Sequence, residues 1–476
     1  MNAPTQEGLR TCGAVWVDSV FPVDRRAQSC WIVVLLYLLV GWQASGGEEA
    51  FAAPRFQAAV DRVVGEVLEL PPHADLHVPG VALSVTMDGR GQTFVSGTSN
   101  LTDRTQLRAD QLMAVGSVTK LYTAVLIMRL VERRKLALSA SVAEVAKRHR
   151  RNARQLRLLV ARYRRQLRGV TVRDLLRMTS GIGDFEYAPQ LRRALRQKPL
   201  ERRSLAELCS WGLATTRAGA SKRPRYSNTN YALLGLIAQA VEGSSISEQM
   251  SMLFARAGLN QTRYLTGGAD ARRLIGAGSM AHGYIPVPTP FEDPADDKLY
   301  RDFTQSPPSG TLTAPLVNAE LAPPVRKVSP RGKVRTVHGP VKLSYRDASG
   351  SYSFSLAGSA GAAVSTTSDL NTFLTALRDG KLVRARTLKA MERSIGSGQN
   401  RFGLGLMPIQ VPRDGLYPGS PRVTLWGHGG EIWGYNAGTF YAQGRDLVIS
   451  YALNVSPGDE VNNSFLADVL RTALRD

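Results

Sequence analysis

Strand-forming runs gather at the two ends of this chain, with helical periodicity between them. Near the start, Val81 to Met87 is rich in apolar and β-branched residues, Asp88-Gly89 is a hairpin-turn dipeptide, and Gln92 to Gly97 returns. Near the end, Val423–Trp426, Ala437–Ala442 and Leu447–Leu453 have the same character. In between, Leu121, Val125, Met128 and Val131 recur at helical spacing. Val172–Met178, Ala232–Val241, Asp369–Leu377 and, last in the chain, Ser464–Leu474 also read as helices. Phe56, Val60, Val63, Val64 and Val67 predict one more, ahead of Pro79-Gly80. A sheet assembled from both ends must carry the middle as an insertion. The expected fold class is therefore α/β in the α+β sense: an antiparallel β-sheet flanked by helices, with an inserted all-α region at about 115–270. With 476 residues the chain can bury one large core or two joined ones. The expected division is an N-terminal segment, 1–52, and one folded body, 53–476.

Arg25 and Arg26 precede an apolar run from Trp31 to Gly41, and Ala50-Phe51-Ala52 follows. A basic flank, a short apolar stretch and an A-x-A ending form an export signal, with cleavage expected near Ala52 or retention as an anchor. The protein is thus expected to be exported, periplasmic or extracellular. Cys12 and Cys30 fall before the cut, so only Cys209 would remain and no disulfide framework is expected. The formal charge is +21, carried by 49 arginines against 11 lysines. No zinc-finger spacing or RNP-like aromatic run accompanies it, so no nucleic-acid partner is expected. Two segments stand out. Lys147 to Arg168 holds ten basic residues and no acidic one, interleaved with Leu156, Leu159, Val160 and Leu167. It reads as a solvated helix laying an apolar stripe on the body, or as a contact for an anionic membrane surface. Ile285 to Tyr345 holds 11 of the 25 prolines and reads as an extended, partly ordered insertion, with short strands at Val334–Val337 and Val341–Tyr345.

The candidate chemistry sits at three places. Ser117 follows Gly116 at a helix start, where its hydroxyl is exposed and neighbouring N–H groups are open to an oxyanion. Lys120, three residues later, shares its helix face. This is the one S-x-x-K in the chain. Tyr226-Ser227-Asn228 is the one Y-x-N. A nearby ammonium would favour the Tyr226 phenolate, and Asn228 can hold a lysine through its carbonyl while its amide donates to a substrate. Gly427-His428-Gly429-Gly430 follows a strand-like run. Its glycines permit close approach of a ligand at Gly430, and His428 supplies a polar and conceivably cationic group. Two assignments of the base stay open, a Tyr226 phenolate sustained by Lys120 or Lys120 itself. The six histidines form no H-x-H or H-E-x-x-H pattern, so neither metal nor other cofactor is expected.

Together these residues resemble the penicillin-recognising serine hydrolases, a family of class C β-lactamases, D-alanyl-D-alanine carboxypeptidases and related esterases. The resemblance covers Pro79-Gly80-Val81, Gly116 to Lys120, Val172 to Gly181 with Met178 in the usual histidine's place, Gly361 to Leu370, and Gly427 to Gly438. It implies an acyl-forming Ser117 whose proton Lys120 and Tyr226 manage. It also implies substrate binding by Asn228, His428 and Gly430, and an oxyanion hole of the Ser117 and Glu431 backbone N–H groups. His428 stands where many relatives carry lysine, and His428-Gly429 replaces the first two residues of lysine-threonine-glycine. That weakens a β-lactamase reading. The expected activity is a D-alanyl-D-alanine carboxypeptidase or related peptidase on a small-molecule or peptide substrate, with esterase next, β-lactamase third, and an inert binding module as the non-enzymatic alternative.

Overall fold

The computed structural model describes residues 53–70, 74–217, 223–287, 316–321, 324–329, 333–398, 400–456 and 459–474. The strands are β1 (Glu66–Leu70), β2 (Ala74–His77), β3 (Gly80–Met87), β4 (Arg90–Asn100), β5 (Thr105–Gln106), β6 (Met113–Ala114), β7 (Arg263–Tyr264), β8 (Tyr284–Val287) and β9 (Leu316–Leu321). They continue with β10 (Val325–Val328), β11 (Val334–Val337), β12 (Val341–Asp347), β13 (Ala363–Ser365), β14 (Met407–Val411), β15 (Val423–Ile432), β16 (Tyr435–Ala442) and β17 (Leu447–Leu453). The helices are α1 (Ala53–Gly65), α2 (Thr119–Glu132), α3 (Val142–Arg148), α4 (Arg154–Arg162), α5 (Val172–Leu176), α6 (Pro189–Gln197) and α7 (Leu205–Ala214). After them come α8 (Asn228–Glu242), α9 (Ile246–Ala257), α10 (Gly268–Gly276), α11 (Thr367–Arg378), α12 (Ala385–Met391) and α13 (Asp459–Leu474).

The main sheet has seven strands in the order β14-β15-β16-β17-β3-β4-β5. Its two ends of chain meet where β17 pairs antiparallel with β3, Leu453 opposite Val81 and Leu447 opposite Met87. Period-2 alternation separates two cores. Val81, Leu83 and Val85 point to one face with Ile449, Tyr451 and the terminal helices α1 and α13. There Phe56 packs on Phe94 at 5.6 Å, and Tyr451 meets Phe465 edge-on at 5.8 Å. Ala82, Tyr441 and Val448 point to the other face, against α2, α11 and the helical insertion. On that face Ser84 Oγ donates to Thr367 Oγ1 of α11 at 2.8 Å. Tyr122 of α2 is stacked edge-on by Phe254 of α9 at 5.0 Å and Phe373 of α11 at 4.6 Å, which joins the insertion to the sheet layer.

One expectation needs correction. The N-terminal helix stops at Gly65, and Val67 lies in a strand. Glycine favours the stop, and β1 then pairs on both edges, antiparallel with nearby β2, Val67 opposite His77, and parallel with β10 more than 250 residues away, Glu66 opposite Arg326. In the proline-rich segment, of which 288–315 lies outside the described residues, strands stand at Val334–Val337 and Val341–Asp347. Its β10 and β11 join β1 and β2 in a four-stranded sheet, and β12 is flanked by β8 and β9. The Trp31–Gly41 run, Cys12 and Cys30 lie outside the described residues. Cys209 is buried and unbridged.

Phe373→Ala should cost about 3–5 kcal/mol, the usual range for emptying a buried aromatic site. Denaturant unfolding should show a lowered midpoint at unchanged slope. A loss under about 1 kcal/mol would mean that α11 is not held to α2 through this stack.

Candidate active site

Gly116-Ser117-Val118 forms one 3-10 turn that runs into α2. Gly116 has φ +47°, and a Cβ there would lie 2.5 Å from Glu431 O, so the turn needs glycine. Ser117 is half-buried on this turn, and Lys120 follows on the same helical face, fully buried. The insertion supplies Tyr226 and Asn228, where the chain enters α8. His428, Gly430 and Glu431 come from β15, the strand that backs the serine turn.

Ser117 Oγ accepts from Lys120 Nζ at 2.7 Å and from the Tyr226 hydroxyl at 2.6 Å. Lys120 Nζ also donates to Asn228 Oδ1 at 2.7 Å and to Ala360 O at 3.0 Å. Burial pushes the Lys120 ammonium down to about 7, against the upward pull of Asp184 and then Glu186. Near neutrality a large share of Lys120 is therefore the amine. Two of its three partners are carbonyl oxygens with no proton to give. A neutral amine has two N–H groups for those carbonyls and one lone pair, which is left for the Ser117 O–H.

Tyr226 moves the other way. Burial raises its pKa well above 10, and although the Ser117 bond opposes this, Asp184 and Glu186 add to it. The Lys120 ammonium lies 4.8 Å from the ring centroid and is not bonded to the phenol oxygen. The expectation of a resting Tyr226 phenolate is thus corrected: Tyr226 keeps its proton and donates it to Ser117 Oγ. His428 needs correction too. It is 3% exposed. Burial, with Lys120 second, drives its pKa down to about 3 despite the Gly429 carbonyl, so it is neutral. Its Nδ1 bonds Gly429 O, which can only accept, so Nδ1 carries the hydrogen and Nε2 is an acceptor. The third correction is Asn228. Its amide donates to Asp184 Oδ2 at 3.1 Å and Glu186 Oε2 at 2.8 Å, which occupies both hydrogens expected to serve a substrate.

Gly430 lets β15 close on the serine turn: a Cβ there would fall 2.7 Å from Ser117 N, and one on Gly116 2.9 Å from Glu431 N. The two N–H groups expected at an oxyanion thus stand on facing segments. Ser117, Tyr226, Asn228, His428, Gly430 and Glu431 all line one cleft, whose apolar wall includes Leu191, Met407, Ile432 and Trp433. Asp184, Glu186 and the Ala360 carbonyl were not anticipated. One sequence signal was available, because Asp184 and Glu186 are the two carboxylates between Asp174 and Glu201, just after Thr179-Ser180-Gly181. Met178, in the usual histidine's place, accepts from Asn230 Nδ2 through its sulfur at 3.2 Å.

A family model described as Beta-lactamase matches residues 56–471. Penicillin-binding protein 4 of Amycolatopsis lactamdurans is 31% identical over 227 residues, which are 46% of this chain and about half, 53%, of that protein's length. A D-amino acid amidase from Ochrobactrum anthropi SV3, solved with D-phenylalanine, superposes with a TM-score of 0.62 at 19% identity, covering 89% of this chain and 99% of that one. A D-stereospecific amidohydrolase from Streptomyces sp. does so with a TM-score of 0.55 at 19% identity, over 86% and 97%. At these identities the two structures share the fold.

The base must be unprotonated, so kcat/KM should rise with pH through about 7, to which burial lowers the Lys120 ammonium. Asp184 raises the Lys120 pKa, so Asp184→Asn should move this acidic limb to lower pH. A limb that stays put or moves up would contradict the electrostatics above.

Proposed function

Because the chain belongs to the Beta-lactamase family of serine hydrolases, we propose that it cleaves amide bonds in small substrates that present a hydrogen-bond donor, such as an amino group, to His428. The reaction starts when Ser117 Oγ attacks the carbonyl carbon and its proton passes to the Lys120 amine. The developing oxyanion lies between the N–H groups of Ser117 and Glu431. The C–N bond then breaks as the Tyr226 hydroxyl protonates the leaving nitrogen, which leaves a transient Tyr226 phenolate and a Lys120 ammonium for the second half of the reaction. Water attacks the Ser117 ester by the reverse set of transfers and releases the acid.

The observation that carries the substrate class is the neutral His428, with Nδ1 committed to Gly429 O and Nε2 an acceptor on the cleft. A carboxypeptidase substrate places a carboxylate beside the scissile bond, and an acceptor there offers it no cation. This turns the reading from a D-alanyl-D-alanine carboxypeptidase toward an amidase or aminopeptidase. The fold likeness to a D-amino acid amidase and a D-stereospecific amidohydrolase agrees with it. We infer export as well, on the Arg25-Arg26 flank, the Trp31–Gly41 run and Ala50-Phe51-Ala52.

One panel tests this: a D-amino acid amide, an acyl-D-Ala-D-Ala peptide, a p-nitrophenyl ester and a chromogenic cephalosporin. The amide should give the highest kcat/KM. Ser117→Ala should lose on the order of 10⁶-fold while staying folded, as in a hydrolase whose nucleophile is removed. His428→Lys should shift preference toward the carboxylate-bearing peptide. Preference of the unaltered protein for acyl-D-Ala-D-Ala would restore the carboxypeptidase reading. A Ser117 that no covalent serine probe labels would leave a binding module.

A further inference from the structure

All ten basic residues between Lys147 and Arg168 are solvent-exposed. Lys147 and Arg148 lie on α3, and Arg154, Arg157 and Arg162 on α4. Leu156 and Leu159 face inward and are buried, and Tyr163 ties the end of the helix to α7 by bonding Ser210 Oγ at 2.8 Å. The body side of α4 is therefore the apolar stripe, and Arg154, Arg157 and Arg162 stand on its exposed side. Among the described residues no carboxylate forms an ion pair with any of the ten; the ion pairs elsewhere involve Arg108, Arg203, Arg273, Arg378 and others. One residue breaks the pattern. Leu158, one turn after Arg154 and one turn before Arg162, is 62% exposed, the highest value among the large apolar side chains of the described residues.

We propose that this face docks the protein on an anionic phospholipid surface. Guanidinium groups are suited to phosphate, which they bind bidentately, and a cluster of exposed arginines gains from the negative potential of such a surface. Charge alone would suit any polyanion. Leu158 selects the lipid: an apolar side chain with Arg154 and Arg162 a turn away on either side gains nothing from a hydrated nucleic acid, but it is removed from water in the acyl boundary beneath the headgroups. The contact is peripheral, since no helix among the described residues is long and apolar enough to cross a membrane. Docking there would hold the cleft near substrates at the membrane surface without altering its chemistry.

The test compares the full chain on vesicles of phosphatidylcholine alone and of phosphatidylcholine with phosphatidylglycerol. Three forms are measured: the unaltered protein, a variant carrying Arg151→Glu, Arg154→Glu, Arg164→Glu and Arg165→Glu, and Leu158→Ser. The unaltered protein should bind the anionic vesicles more tightly, with the difference falling as salt rises. The four-fold variant should lose at least about 100-fold of that preference, given roughly fivefold per basic residue at such a surface. Leu158→Ser should lose several-fold on anionic vesicles. Hydrolysis of a soluble substrate should be equal in all three, which reports that the variants are folded. Equal binding to both vesicle types, or a preference that survives the four substitutions, would overturn the proposal. So would double-stranded DNA binding as tight as vesicle binding and indifferent to Leu158→Ser, since that would assign the face to nucleic acid.

Discussion

A lysine buried to 0% exposure is the constraint around which this site is arranged. Burial alone would strip the Lys120 proton and leave polar hydrogens unmatched. Asn228 Oδ1 and Ala360 O take two of those hydrogens, and the carboxylates of Asp184 and Glu186 hold the Asn228 amide in the orientation that presents its oxygen. The carboxylates also check the fall of the lysine pKa, so it settles near 7 instead of lower. The result is an amine with one lone pair aimed at Ser117 Oγ. The same burial keeps Tyr226 protonated and His428 neutral. One physical cause therefore assigns three protonation states.

The fold serves this arrangement by bringing distant segments to one point. Lys120 stands on α2, Asn228 on α8, Ala360 at the end of a 3-10 turn, and β15 covers the serine turn from the sheet side. None of these is near another in sequence except Ser117 and Lys120. Closing the sheet between β17 and β3 fixes β15 relative to the insertion, and the Tyr122 stack fixes α2 relative to α11. Gly116 and Gly430 then permit an approach that any side chain would block. A site assembled this way is sensitive to packing far from the chemistry, because a small shift of one element changes the Lys120 bonds.

Much of this was legible in the sequence because it rests on short-range signals. Runs of apolar and β-branched residues marked β3, β16 and β17, the Ser117/Lys120 spacing put both on one helical face, and the rarity of S-x-x-K and Y-x-N singled out Tyr226 and Asn228. What was hidden depends on partners far along the chain. Val67 continues a helical pattern but lies in a strand that pairs with β2 close by and with β10 far along the chain. The protonation of Tyr226 and His428 cannot be read from neighbours in sequence, since depth of burial sets it. Asp184 and Glu186 were visible as the two acids in a basic stretch, but their grip on the Asn228 amide needed coordinates.

The central claim is that the Lys120 amine, and not a Tyr226 phenolate, takes the proton from Ser117. Acylation of Ser117 by an activated substrate, followed by intact mass across a range of pH in Lys120→Met and Tyr226→Phe, tests it most directly. The account predicts that Lys120→Met slows acylation by roughly 10²–10⁴-fold, the usual worth of a general base, and abolishes the acidic limb near pH 7. Tyr226→Phe should be slowed but keep that limb, because the titrating group is still present. The reverse pattern, a limb lost in Tyr226→Phe and retained in Lys120→Met, would contradict it and return the role to the phenolate.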